Sequence, residues 1–233
     1  MQECISKRKK KKRKGLDTEN SKSGRTRTMS RIYIIMGKSA TGKDTIYKKL
    51  LEMKDLNLKT VVMYTTRPIR VSEVDGVEYH FVDEKKLEEL KKQNRIIEHR
   101  SYNTIHGKWH YFTVNDDQFD LDKYDYLIHG TLSSYSQIRD YFGAERVVPL
   151  YIEVEDGIRL MRALKRERKQ KEPKYAELCR RFLADDEDFS EENIAKQKIT
   201  KRYKNIDINV CLYEIRKDIQ SYQDEDRKTY CKP

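Results

Sequence analysis

The segment Gly37-Lys38-Ser39-Ala40-Thr41-Gly42-Lys43-Asp44-Thr45 gathers residue types suited to one task, the holding of phosphate. Its two glycines let the backbone curl so that successive N–H groups point inward, and a helix starting at Lys43 adds its positive dipole end. Lys43 supplies a mobile point charge for the outer phosphates of a nucleoside triphosphate. The residue after that lysine is ordinarily a Ser or Thr whose hydroxyl holds magnesium, but here it is Asp44. Thr45 comes one position late, about 100° further round the helix. A bare carboxylate beside triphosphate is repelled, whereas with Mg²⁺ between them it becomes a ligand. Asp44 is therefore expected to take the metal role, the alternative being a simple cap on the helix start.

A second constellation lies downstream. Arg67 and Arg70 are three residues apart, followed by Asp75-Gly76 and Tyr79. Guanidinium forks match phosphate oxygens bidentately and a phenol adds a neutral donor, so this segment could clamp a second anion.

These residues need elements to position them, and from Arg31 onward strand-like and helix-like patterns alternate, which argues for an α/β fold with a mainly parallel sheet. Ile32–Met36 reads as a buried strand leading into the loop, and a helix follows to about Met53. Further strands are expected at Thr60–Tyr64, Val77–Val82, Ile96-Ile97, Tyr111–Val114, Tyr126–Ile128, Val147–Val154 and Ile206–Val210. Helices are expected after Asp83 to about Gln93, and over Thr131–Phe142, Asp156–Arg166, Tyr175–Asp186 and Leu212–Tyr222.

With those residues in place, Thr65-Thr66-Arg67-Pro68-Ile69-Arg70 and Glu73-Val74-Asp75-Gly76-Val77-Glu78-Tyr79-His80-Phe81 resemble the monophosphate segment of the guanylate kinase family nearly letter for letter. The resemblance runs from about Ile32 to Ile219 and is most specific through Phe81. It implies a P-loop three-layer fold with a mainly parallel sheet, a small monophosphate-binding subdomain at about 65–115 and a helical lid at about 166–185. The implied reaction is phosphoryl transfer from ATP, accompanied by Mg²⁺, to GMP or dGMP. By the same resemblance Arg67, Arg70, Tyr79 and Tyr111 hold the GMP phosphate, Glu98 reads the guanine edge, and Thr113 is the small hydroxyl residue beside the base. Arg162, Arg166 and Arg181 resemble the lid arginines, Arg162 and Arg166 one turn apart on one face. Lys43, Arg67, Arg162 and Arg166 would form the catalytic set, while Gly37, Ser39, Ala40, Thr41, Gly42, Lys43, Asp44, Thr45 and Arg181 would serve ATP.

The match is incomplete. His129 and Thr131 stand where the family has aspartates, one of which helps bind the guanine amino group, and Met63 stands where it has a serine. Phe112 replaces a usual glycine, and extra residues separate Glu98 from Tyr111. A kinase for another (deoxy)nucleoside monophosphate and a non-catalytic guanylate-kinase-like binding module are accordingly the competing readings.

Charge and composition bound the rest. The chain has 233 residues and a formal charge of +11, but residues 1–30 hold eleven Lys or Arg against three acids and so carry +8 of it. That segment reads as a disordered basic tail, able at most to bind polyanions such as nucleic acid. The domain is expected over 31–223, followed by a C-terminal tail at 224–233. No run reaches the roughly 20 apolar residues that span a bilayer, and no secretory signal is evident. Four scattered cysteines without metal spacing suit a reduced, cytoplasmic protein. His106 and His110 have the spacing of a helical metal pair, but Gly107 and Trp109 disfavour a helix there, so no metal is expected at that pair.

Overall fold

A strand that is apolar at every position, as Ile32–Met36 is, can be buried only if both faces of its sheet are covered. The computed structural model, which describes residues 29–104 and 107–229, has that arrangement. In chain order the first elements are β1 (Ile32–Met36), α1 (Lys43–Glu52), β2 (Tyr64–Thr65), β3 (His80–Phe81), α2 (Glu84–Lys92), β4 (Ile96–Thr104) and β5 (Gly107–Val114). There follow β6 (Tyr126–His129), α3 (Leu132–Phe142), β7 (Val147–Glu153), α4 (Asp156–Glu167), α5 (Tyr175–Asp188), α6 (Glu191–Lys196), β8 (Arg202–Lys204) and α7 (Ile208–Thr229). The main sheet runs β6-β1-β7-β8, parallel throughout, with Ile32 opposite Tyr126 on one side and Val147 on the other.

Alternation along β1 sorts its side chains between two cores. Ile32, Ile34 and Met36 pack with Leu132, Ile138 and Ile194, while Tyr33 and Ile35 pack with Ile46, Leu50, Ile215 and Ile219. Helices therefore lie on both sheet faces, giving the three layers expected. A second, mostly antiparallel sheet of order β3-β2-β5-β4 stands apart from the first. Leu87 and Leu90 of α2 close it through Phe112 and Val114.

Several elements differ from their sequence patterns. β2 and β3 have two residues each. Val77 does not extend β3, because its N–H and that of Glu78 both bond to Val74 O in a turn. The expected strand at Ile206–Val210 is absent, and β8 falls earlier. Asp207 Oδ1 accepts from the N–H groups of Asn209 and Val210, which turns the chain into α7 instead. That helix also passes both its expected end at Tyr222 and the expected domain end at 223. Asp226 explains the extension, since its carboxylate takes Nε and Nη2 of Arg31 at 2.6 and 2.7 Å and pins the last turns to the start of β1. At the other terminus, Ser30 is already buried, so the folded part begins within the segment assigned to the tail. Residues 1–28, and His106, lie outside the described residues.

Candidate active site

The loop between β1 and α1 is shaped by backbone conformation. Gly42 has φ 85°, and a Cβ there would stand 2.5 Å from Asn205 Nδ2, so both conformation and space call for glycine. Asn205 uses that nitrogen to donate to Thr41 O at 2.7 Å, bracing the loop from the β8–α7 junction. The Thr41 hydroxyl donates to Lys38 O at 2.9 Å. Gly37, Ser39, Ala40, Thr41, Gly42, Lys43, Asp44 and Thr45 thus form one continuous cradle at the C-terminal end of β1. The α1 start carries no side-chain cap, so Asp44 is not held as one. Its side chain is 73% exposed, with Oδ1 3.9 Å from Lys43 Nζ and 4.0 Å from His129 Nδ1. Burial lowers the His129 pKa, against the opposing pull of the Asp44 carboxylate.

Helix α5 is docked on this loop. Arg181 Nη2 donates to Ser39 Oγ at 3.2 Å, and Ser39 N–H donates to Asp185 Oδ2 at 2.7 Å. Lys38 Nζ meets Asp186 Oδ1 at 2.6 Å. Arg159 of α4, only 1% exposed, donates to Ser39 O at 3.2 Å and to Asp156 and Asp186. Its guanidinium also lies 4.5 Å from the Phe182 ring. Sequence reasoning missed Arg159, Asp185 and Asp186. The short-range signal was only the three-residue spacing of Asp156 and Arg159, and the loop partner of Asp185 is 146 residues away.

Arg166 and Arg181 line a cavity of about 360 Å³ together with Ser39 of the loop and Arg70 of the monophosphate segment. Arg162 does not line it. Although one turn from Arg166, it donates to Asn205 O at 3.0 Å, so the expected joint action of Arg162 and Arg166 is not what this arrangement shows. On the other side of the loop, a cavity of about 480 Å³ follows the ends of β7 and β8, lined by Thr41, Val154, Lys204 and Ile206 among others.

In the second sheet, β4 and β5 carry Glu98, Tyr111 and Thr113, while Arg67 follows β2 and Tyr79 immediately precedes β3. Arg67 is buried, and its fork meets Glu73 with two 2.9 Å bonds. The hydrogen bond from Arg67 holds the Glu73 carboxyl below its usual range. Arg67 CZ lies 5.6 Å from the Tyr79 ring, which stands edge-on to Tyr111 at 5.7 Å. The expected phosphate ligand thus already carries a carboxylate partner. Glu98, opposite Thr113 across the strands, accepts from the Thr113 hydroxyl at 3.0 Å. It is also bound by Arg100, a residue that sequence reasoning passed over because nothing in its neighbours marks it. Thr131, in place of an expected acid, spends its side chain on capping α3 through a reciprocal bond set with Ser134. His110 lies on a strand, 2.7 Å from the ring nitrogen of His99, and no cluster of three or more metal-ligating side chains occurs among the described residues.

A parallel sheet with helices on both faces, a Gly-bracketed loop after its first strand and a cation-lined cleft above it define a P-loop fold. Residues 29–177 match the family model described as guanylate kinase, and the chain belongs to that family. It is similar to a guanylate kinase of Mycobacterium bovis, 38% identical over 96 residues, which are 41% of this chain and 44% of that relative. One from Syntrophomonas wolfei is 40% identical over 86 residues, 36% of this chain and 43% of that relative. These alignments span less than half of each relative's length. The fold is also similar to the crystal structure of guanylate kinase from Anaplasma phagocytophilum, with a TM-score of 0.55, 23% identity and coverage of 84% of this chain and 88% of that one.

Proposed function

We propose that this chain transfers the γ-phosphoryl group of ATP to a nucleoside monophosphate, GMP or dGMP. The observation that carries the reading is the shared cavity, where the phosphate loop, the monophosphate segment and the α4–α5 lid contribute Ser39, Arg70, Arg166 and Arg181 to one cleft. A phosphate oxygen of GMP attacks the γ-phosphorus, the bond from that phosphorus to the β-phosphate oxygen breaks, and ADP leaves. The attacking oxygen is already anionic, so no general base is needed. The protein's work is to align two polyanions and neutralise crowded charge. Lys43 and the loop amides hold the triphosphate, Arg70 and Tyr79 hold the acceptor phosphate, and Arg166 and Arg181 span the gap. The cavity along β7 and β8 has room for the nucleoside of ATP.

The donor set fits Mg²⁺. One exposed carboxylate beside a triphosphate cradle is the usual protein share for this ion, which keeps waters and phosphate oxygens as its other ligands. Asp44 would hold it, and when bound the ion supplies charge neutralisation between the outer phosphates. Asp185 on the Ser39 N–H stands where an anion would, so ATP entry exchanges that carboxylate for phosphate. Lid movement then shields the transfer from water.

Coupled ADP production from ATP, with a panel of monophosphates as acceptors, tests the proposal. Turnover led by GMP or dGMP supports it. A strong preference for another nucleotide assigns a different substrate, and folded protein that turns over none, with magnesium present, is a binding module.

A further inference from the structure

The base end of the monophosphate site contains a feature that the family resemblance does not supply. Glu98 is a buried carboxylate, its side chain 1% exposed, and Arg100 covers it with its own side chain 14% exposed. The contact is side-on, with Nε 3.0 Å from Oε2 and Nη2 3.3 Å from Oε1. Oε1 also accepts from Thr113 at 3.0 Å, which fills both of its lone-pair directions and leaves one on Oε2. A free carboxylate accepts from two donors side by side, which is the edge formed by the ring N–H and 2-amino group of guanine. Here that capacity is halved.

Arg100 is the member of the pair that solvent reaches first. It faces Tyr111 across the strands, on the same sheet face as Glu98 and Tyr102, so it stands among the residues proposed to hold the monophosphate. Two of its five N–H groups are spent on Glu98. The others have soft or neutral company, Met63 Sδ at 3.6 Å and the Tyr102 phenol. Burial pushes the Arg100 pKa down, but the adjacent Glu98 carboxylate more than offsets this, so the guanidinium remains charged. A base entering this site meets a planar donor fork before it meets an acceptor.

Guanidinium forks recognise 6-oxopurines at O6 and N7, two acceptors side by side, and meet a donor at the amino group of adenine instead. We propose that Arg100 is the specificity-determining residue of this site, reading the O6/N7 edge of a 6-oxopurine monophosphate and leaving the 2-amino group unread. Glu98 then acts as the positioning residue that orients the fork. The site's substrate class is widened from GMP to 6-oxopurine monophosphates generally, IMP included. This inference rests on the kinase reading above.

The test compares kcat/KM for GMP, IMP, AMP and 7-deaza-GMP, which lacks the N7 acceptor, with ATP and magnesium at saturation. IMP is expected within ~10-fold of GMP, and AMP on the order of 100-fold below it, within the range one bidentate base contact supplies. 7-deaza-GMP is expected to lose ~10-fold, chiefly in KM, in the unaltered protein. In Arg100→Ala the penalty for 7-deaza-GMP disappears, and in Arg100→Lys it is partly restored. A merely structural arginine would lower turnover of all four substrates alike. Equal use of 7-deaza-GMP and GMP by the unaltered protein overturns the inference while the kinase reading stands, and that comparison needs no variant to fold. Absence of turnover with every monophosphate overturns both.

Discussion

The two ends of the cleft are built on different principles. At the phosphate loop the shape is a matter of backbone, set by the φ of 85° at Gly42 and by Asn205 bracing Thr41. In the second sheet the candidate groups are side chains that have already found each other, Arg67 with Glu73 and Glu98 with Arg100. The first end is shaped before ligand arrives, so binding there costs little reorganisation. On the proposed function, the second end binds by exchanging partners, and its selectivity depends on which pair yields. The docked α5 adds a case of exchange at the loop itself, through Asp185 on Ser39 N–H.

The contrast can be broken or sharpened by substitution. Lys43→Met should give the largest effect, a loss of ~10²–10³ in kcat with folding intact, because it removes a preorganised charge from the developing phosphoryl transfer. A kcat within a few-fold of normal would mean the loop does not serve catalysis. Asp44→Ala should raise the magnesium concentration for half-maximal rate by on the order of 10-fold, and an unchanged requirement would remove this residue from the metal's ligands. Asp185→Ala should lower the KM for ATP by about 5-fold at constant kcat, the worth of roughly one displaced hydrogen bond. An unaltered KM would show that the carboxylate does not compete with phosphate.

A further effect, read in stability rather than turnover, concerns pH in the second sheet. Burial lowers the His99 pKa from 6.5 to about 4, so between those values the unfolded chain binds more protons than the folded one. Stability should therefore fall as pH drops through that window and be unaffected by this group above it. Urea midpoints at pH 7 and pH 5 check this, and His99→Gln should show the shallower loss. Equal losses in both proteins would mean that His99 titrates normally when folded.

Much of the molecule was legible before folding was considered. The loop, its lysine and its flanking strand and helix depend on contiguous residues, so spacing alone located them. The buried β1 was equally plain, because five apolar residues in a row have few places to go. The limits were local as well. Val77–Val82 has the composition of a strand, yet hydrogen bonds to Val74 O turn its first half, and Ile206–Val210 lost its strand to a cap supplied by Asp207.

Contiguous residues specify the loop motif, since its backbone turn and its lysine are encoded within nine positions. Which charges remain available to a substrate was decided by distant pairing. Asp185 reaches Ser39 from 146 residues away, Arg162 turns to Asn205, and Arg31 anchors Asp226, none of them neighbours in the chain. Even Arg100 and Glu98, two residues apart, could have been solvated on an exposed strand, and their pairing matters because packing of the second sheet withdrew the carboxylate from water. Spacing along a chain specifies which groups can act together, whereas burial and long-range contact determine which of them are already engaged.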